Sequence, residues 1–292
     1  MLRHVAIALL LLSWCACKPA EEGHVKAIIG AVLIDGAGGP PLSNSVVVVG
    51  SGRIRGAGAH SSIPIPADAD KIDCSGKYLV PALVDICDRA DPPGLLRPTT
   101  PEEARAQVAQ LAARQATAIH IGKLPRAVAE AVLEAARDAR IPVTGHIATQ
   151  AEVRLLVDNG TTNLVGMIRD TEDLDPVLVS RLRDLRIVVA PSLANAGAGT
   201  EVAKRNARRL FEAGVPLAVA SEGGDPLREA ALLVEAGVPP LDVLVAATHN
   251  GGSATSSCRR RISLSVSCSL RQDDMAFASS RSTANIARSS SL

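Results

Sequence analysis

The chain has 292 residues, 47% of them hydrophobic but only 1% aromatic, and a formal charge of +1. That length suffices for one large domain with a small companion, and the charge gives no electrostatic reason to expect nucleic acid as a partner. The near-neutral sum hides a split: residues 251–292 carry six Arg and two Asp, which leaves residues 1–250 at −3. With Trp14, Tyr78, Phe211 and Phe277 as its aromatics, the core must be built from many small aliphatic side chains.

Arg3 and His4 precede an apolar run, Val5 to Trp14, that ends in Cys15-Ala16-Cys17-Lys18. The run is shorter than the roughly 20 residues a bilayer span needs, and a polar stretch follows at once, so residues 1–22 read as an export signal. The ending resembles a bacterial lipobox with Cys17 as the lipidated residue, although Trp14 is a poor match. The expectation is an exported chain, in the cell envelope through a lipid anchor or free in the periplasm. Of six cysteines only Cys74 and Cys87 lie in the body. An oxidising compartment permits a bridge between them, but nothing in their spacing asks for one.

Residues 23–79 read as a small all-β domain. Val25–Ile34 and Ser45–Val49 are apolar runs, separated by turn clusters at 35–41 and 50–53, and Asp73-Cys74-Ser75-Gly76-Lys77 makes another turn. From residue 80 to 252 short apolar runs alternate with amphipathic helices. The expected strands are Leu83–Ile86, Ala116–Ile121, Pro142–His146, Asn163–Met167, Ile187–Ala190 and Pro216–Ala220. Helices are expected at about 101–114, 125–139, 150–159, 174–184, 201–213 and 226–236. Thr99-Thr100-Pro101-Glu102-Glu103 offers a cap and a first-turn proline, and Gly160, Gly214 and Gly237 sit where helices should stop. This alternation implies an α/β fold with a parallel sheet, either a barrel or a doubly wound sheet. No glycine motif follows the first strand, which weakens a dinucleotide site. Residues 253–292 are crowded with Ser and Arg and read as disordered or frame-shifted.

The order of several segments resembles the amidohydrolase superfamily, nearest to its imidazolonepropionase and prolidase-like branch. Gly30-Ala31-Val32-Leu33-Ile34-Asp35-Gly36 and Val80-Pro81-Ala82-Leu83-Val84-Asp85 resemble its opening. Val143-Thr144-Gly145-His146, Val188-Val189-Ala190-Pro191-Ser192 and Ala246-Ala247-Thr248-His249-Asn250 resemble later strand ends and the closing helix. The resemblance covers about residues 25–252. It implies a small β-sandwich followed by a TIM-like (β/α) barrel. It also implies zinc or another divalent ion at the strand ends and hydrolysis of C–N bonds in small amides or dipeptides.

Carried over position by position, the family's ligand places are altered here. His146 retains a metal histidine. Cys87 and Arg89 stand where the first strand should end His-x-His, and His120 stands in the place of a bridging lysine. Gly166 occupies a further histidine place, and Glu222 stands where an aspartate acts as ligand and general base. Cys87, His120, His146 and Glu222 are able to bind zinc, while Arg89 and Gly166 are not. Each also has a structural reading, as a small buried thiol, a hydrogen-bonded histidine or a loop acid. Only 32 residues separate Cys87 from His120, so an incomplete barrel of about six βα units is expected. Three functions stay open: a weak or altered amidohydrolase, an exported pseudoenzyme that binds a small amide or peptide, and a decayed gene product.

Overall fold

The computed structural model describes residues 24–89, 92 and 94–254. The signal segment, Cys17 and all but the first two residues of the 253–292 tail lie outside them. The described residues group into two compact units, residues 24–33 with 42–78, and residues 34–41 with 79–254. Residues 34–41, read from sequence as a turn inside the small domain, group with the second unit.

In the first unit β1 (Lys26–Ile29) runs antiparallel to β3 (Ser45–Gly50) and parallel to β5 (Asp70–Asp73). The sheet order is β4-β3-β1-β5, with β4 at Arg53–Ala59. β3 and β4 are joined through Ser51 and Gly52, both at positive φ (52° and 69°), and Gly50 pairs with Arg53. Two such residues make the tight turn whose twist matches that of the strands. Val46, Val47 and Val48 are all buried, which is why β3 reads as a run of valines without alternation. Gly56 and Gly58 leave room for Ile63, whose methyl groups would lie 3.3 Å from a Cβ at either position. The short β2 (Val32–Leu33) donates the Val32 N–H to the Lys77 carbonyl at 2.8 Å, just before β6 (Tyr78–Leu79).

The second unit is α/β. Its parallel sheet runs β7 (Leu95–Leu96), β8 (Ile119–Ile121), β9 (Val143–Ile147), β10 (Asn163–Gly166) and β11 (Val188–Ala190) in spatial order. Single parallel bridges extend it from Val189 to Leu217 and from Val219 to Asp85. Leu83–Ile86 and Pro216–Ala220, expected as strands, therefore enter the sheet through bridges rather than long ladders. β7 was not anticipated, because two residues are too short to show a period. No ladder joins β7 to Asp85 among the described residues.

The helices are α1 (Pro101–Ala113), α2 (Arg126–Asp138), α3 (Gln150–Asp158), α4 (Pro176–Asp184), α5 (Thr200–Glu212), α6 (Pro226–Glu235) and α7 (Pro240–Val245). The first six lie within two residues of the expected spans. Thr100 caps α1, Thr149 and Glu152 form a capping box on α3, and Asp175 and Asp225 cap α4 and α6 ahead of a first-turn proline. Each of these six helices ends the same way. Gln115, Arg140, Gly160, Arg186, Gly214 and Gly237 all take positive φ. The next residue donates its N–H back to the carbonyl three residues inside the helix end, as Ile141 does to Ala136 at 2.9 Å and Ile187 to Leu182 at 2.9 Å. This is the Schellman closure. Three of its six left-handed positions carry no glycine, so the sequence marked only the other three as stops.

Strand alternation sorts the core. Leu164, Val189, Leu217 and Val219 face the helices with Val132, Leu156, Leu182 and Leu210. Val165, Val188, Ala190, Ala218 and Ala220 pack on the other face with Cys87. Small residues there suit a tightly curled sheet, whose inner face has little room. Among the described residues no helix is long and apolar enough to cross a membrane.

Candidate metal centre

The C-terminal ends of the parallel strands bring three of the expected residues together. Cys87 follows the Asp85 bridge, His120 sits in β8 and His146 in β9. Pairing of β8 with β9 sets His120 opposite Thr144, and β9 with β10 sets His146 opposite Val165. One potential ligand atom from each of Cys87, His120 and His146 lies within 4.8 Å of the others. The two imidazole rings stand 5.7 Å apart, tilted by 52°.

Nδ1 of His120 and Nε2 of His146 are buried without a hydrogen-bond partner. A buried polar nitrogen with no partner costs about 1–3 kcal/mol, so each of these atoms is open to a ligand. Burial, with His146 beside it, lowers the His120 pKa to about 4, which leaves the ring neutral near pH 7. Burial and the nearby Glu222 carboxylate push the Cys87 thiol up to about 12. Its S–H donates to the Arg89 carbonyl at 3.3 Å. A thiolate with two neutral imidazoles is a zinc donor set, and tetrahedral zinc sets its ligand atoms about 3.3–3.8 Å apart. The ligand atoms of the trio, within 4.8 Å of one another, come near that spacing, and their donor chemistry fits the ion.

Glu222 stands outside this trio and behind one member of it. Its Oε1 lies 2.8 Å from Nδ1 of His146. Its Oε2 accepts from Ser192 Oγ at 2.8 Å and, more distantly, from Asn195 Nδ2 at 3.4 Å. The bonds to His146 and Ser192 outweigh burial and lower the Glu222 pKa. A carboxylate on Nδ1 fixes the tautomer that leaves Nε2 free toward the trio, the arrangement by which metal histidines are oriented. Ser192 and Glu222 both have φ of +47°, a strained conformation for either residue.

Asp85 ties the two sides of the site. It accepts from the Cys87 N–H at 3.0 Å and the Ser221 N–H at 3.1 Å, and from the Ser221 hydroxyl. Across the same seam the Glu222 N–H donates to the Cys87 carbonyl at 2.7 Å. Arg89 is exposed and contributes its backbone carbonyl, not its side chain. Gly166 has φ of +94°, and a Cβ there would lie 2.3 Å from the Ile147 carbonyl oxygen. The backbone at this strand end thus admits glycine alone, and a histidine in its place would require β9 and β10 to part.

Sequence reasoning assigned no role to Ser192, Asn195, Asp85 or Glu229. The first three are held by contacts between residues far apart in the chain. Glu229 did leave a signal, since it shares the apolar face of α6 with Leu233 one turn on. Cys87 carries a free thiol, and no disulfide joins it to Cys74.

No protein-family model and no curated protein matches the chain. Solved structures do. A protein assigned as a prolidase from Bifidobacterium longum superposes with a TM-score of 0.69 at 20% identity, over 87% of this chain and 91% of that one. A Xaa-Pro dipeptidase with bound methionine gives 0.68 at 14% identity, over 83% and 91%. Molinate hydrolase gives 0.67 at 15% identity, over 84% and 88%. Such likenesses fix the fold: a mixed α/β chain with a parallel sheet and flanking helices, similar to the barrels of these hydrolases.

Proposed function

We propose that this chain is a metal-dependent hydrolase of the amidohydrolase type, acting on the C–N bond of a small amide or dipeptide. Cys87, His120 and His146 would hold a single zinc ion. The observation that carries this reading is the convergence of the three side chains with two buried, unpartnered imidazole nitrogens. Three protein ligands is the number used by catalytic zinc, which keeps its fourth position for water or substrate. When bound, the ion acts as a Lewis acid and lowers the pKa of a coordinated water toward neutrality.

The remaining roles fall to the chain itself. Glu222 holds the proton on Nδ1 of His146 and keeps Nε2 directed at the trio. Ionised at neutral pH and with both oxygens engaged, it is the carboxylate that orients a side chain of the trio, and we assign it that positioning role. Ser192 and Asn195 hold its second oxygen, and Asp85 keeps the Cys87 and Ser221–Glu222 backbones in register. The substrate class rests on the names of the structural neighbours, a prolidase, a Xaa-Pro dipeptidase and molinate hydrolase. The same reading includes a small N-terminal β-sandwich, a barrel with fewer βα units than the family's eight, and export through residues 1–22 with lipidation at Cys17.

Zinc loading of the full chain followed by elemental analysis tests the centre, with about one zinc per chain expected. Loaded protein should release proline from alanyl-proline or the amino acid from N-acetylated amino acids. Cys87→Ser and His146→Ala should lose both metal and turnover, and Glu222→Gln should slow turnover by about 10–100-fold. A chain that stays empty after loading overturns the proposal. One that binds zinc and hydrolyses nothing in the panel is a binding protein instead.

A further inference from the structure

Glu229 is a carboxylate only 2% exposed, in the first turn of α6, and nothing in the proposed chemistry uses it. Its Oε2 accepts the Leu193 N–H at 2.7 Å and its Oε1 accepts the Ala194 N–H at 2.8 Å. Both oxygens therefore grip consecutive peptides of one short 3₁₀ turn, Leu193–Asn195. That turn begins directly after Ser192, the residue forced to φ +47°, and ends at Asn195. Ser192 Oγ and Asn195 Nδ2 are the two groups that meet Oε2 of Glu222, and Asn195 also donates to Ser192 Oγ at 3.2 Å and to the Ser221 carbonyl at 3.3 Å. A buried carboxylate is costly to retain in a helix face that an alanine or leucine would fill. Two peptide N–H groups held at one fixed separation are what such a group supplies and an apolar residue does not.

We infer that Glu229 is a positioning residue of the centre, acting through the Leu193–Asn195 turn on Ser192 and Asn195, and through them on Glu222 and His146. The inference rests on the proposed hydrolase reading for its kinetic consequence, but not for its structural one. In Glu229→Gln one oxygen becomes an amide nitrogen that faces a peptide N–H, so one grip is lost. In Glu229→Asp the charge stays while the reach shortens.

The test uses zinc-loaded full-length protein labelled with ¹⁵N-histidine. The Nδ1–H resonance of His146, identified by its loss in His146→Ala, should shift or broaden in both Glu229 variants and in Ser192→Ala. Zinc content should stay at the wild-type level. On alanyl-proline kcat should fall about 10- to 100-fold, with KM changed less than threefold. The Ser192→Ala/Glu229→Gln double variant should lose no more than the worse single one, because both act along one path. A His146 resonance unmoved in both Glu229 variants, or losses that multiply in the double variant, overturns the inference. If Glu229→Gln does not fold, Glu229→Asp carries the same readouts. A wild-type chain without turnover defeats the hydrolase reading and leaves the resonance test standing.

Discussion

His120 shows how one residue couples the site to stability. Its folded pKa of about 4 lies below the ordinary 6.5 because the ring is buried beside His146. A group whose folded pKa is depressed contributes its full stability above the unfolded value and loses it as pH falls toward the folded one. The window here is pH 6.5 to about 4. Metal-free protein should therefore lose roughly 2–3 kcal/mol between pH 7 and pH 4.5 from this residue alone. Urea unfolding at the two pH values checks it, and His120→Asn should flatten the fall by that amount. An equal fall in the variant would mean that the ring is not neutral in the native state. The residue itself was readable in advance as a candidate, but its shifted pKa was not, since burial and a second imidazole come from other strands.

At the scale of elements, the six Schellman closures set the phase with which each helix returns the chain to the sheet. Gln115, Arg140 and Arg186 occupy left-handed positions that glycine fills after the other three helices. A side chain there costs about 1–2 kcal/mol, partly offset because glycine loses more freedom on folding. Gln115→Gly and Arg140→Gly should each raise stability by up to about 1 kcal/mol, and Gly214→Ala should lower it by a similar amount. Thermal melts of the three variants decide the sign. Helix positions themselves were legible, because apolar spacing, Thr and Asp caps and first-turn prolines are local signals. The end of α2 was placed within one residue by its apolar spacing, although Arg140 carries no stop signal and only the Ile141 to Ala136 hydrogen bond reveals the closing turn.

For the whole molecule, a ligand that binds the folded chain alone stabilises it by mass action. With free zinc a thousandfold above its dissociation constant the gain is about 4 kcal/mol. For a unit of this size that raises the melting temperature on the order of 10 °C. Scanning calorimetry with and without zinc should show the rise in wild type and none in His146→Ala. Glu222→Gln should shift the zinc concentration needed by about 10- to 100-fold, as expected for the carboxylate that orients a metal histidine. An identical zinc response in Glu222→Gln would place that carboxylate outside the centre's support.

By itself the sequence determined the alternation of short apolar runs with amphipathic helices, and hence a parallel α/β unit. It also determined where most helices start and which residue types were able to bind metal. Those are local or periodic properties, carried by neighbours within a turn or two. Tertiary structure decided which candidates meet. It gathered Cys87, His120 and His146, set Glu222 behind His146 rather than among them, and brought in Asp85, the Ser192–Asn195 turn and Glu229 of α6 from separate elements. It also showed why Gly166 bears no ligand, since the Ile147 carbonyl of the adjacent strand fills the space a Cβ would need. Such facts depend on strand register and on the close approach of distant backbone, which no local pattern encodes.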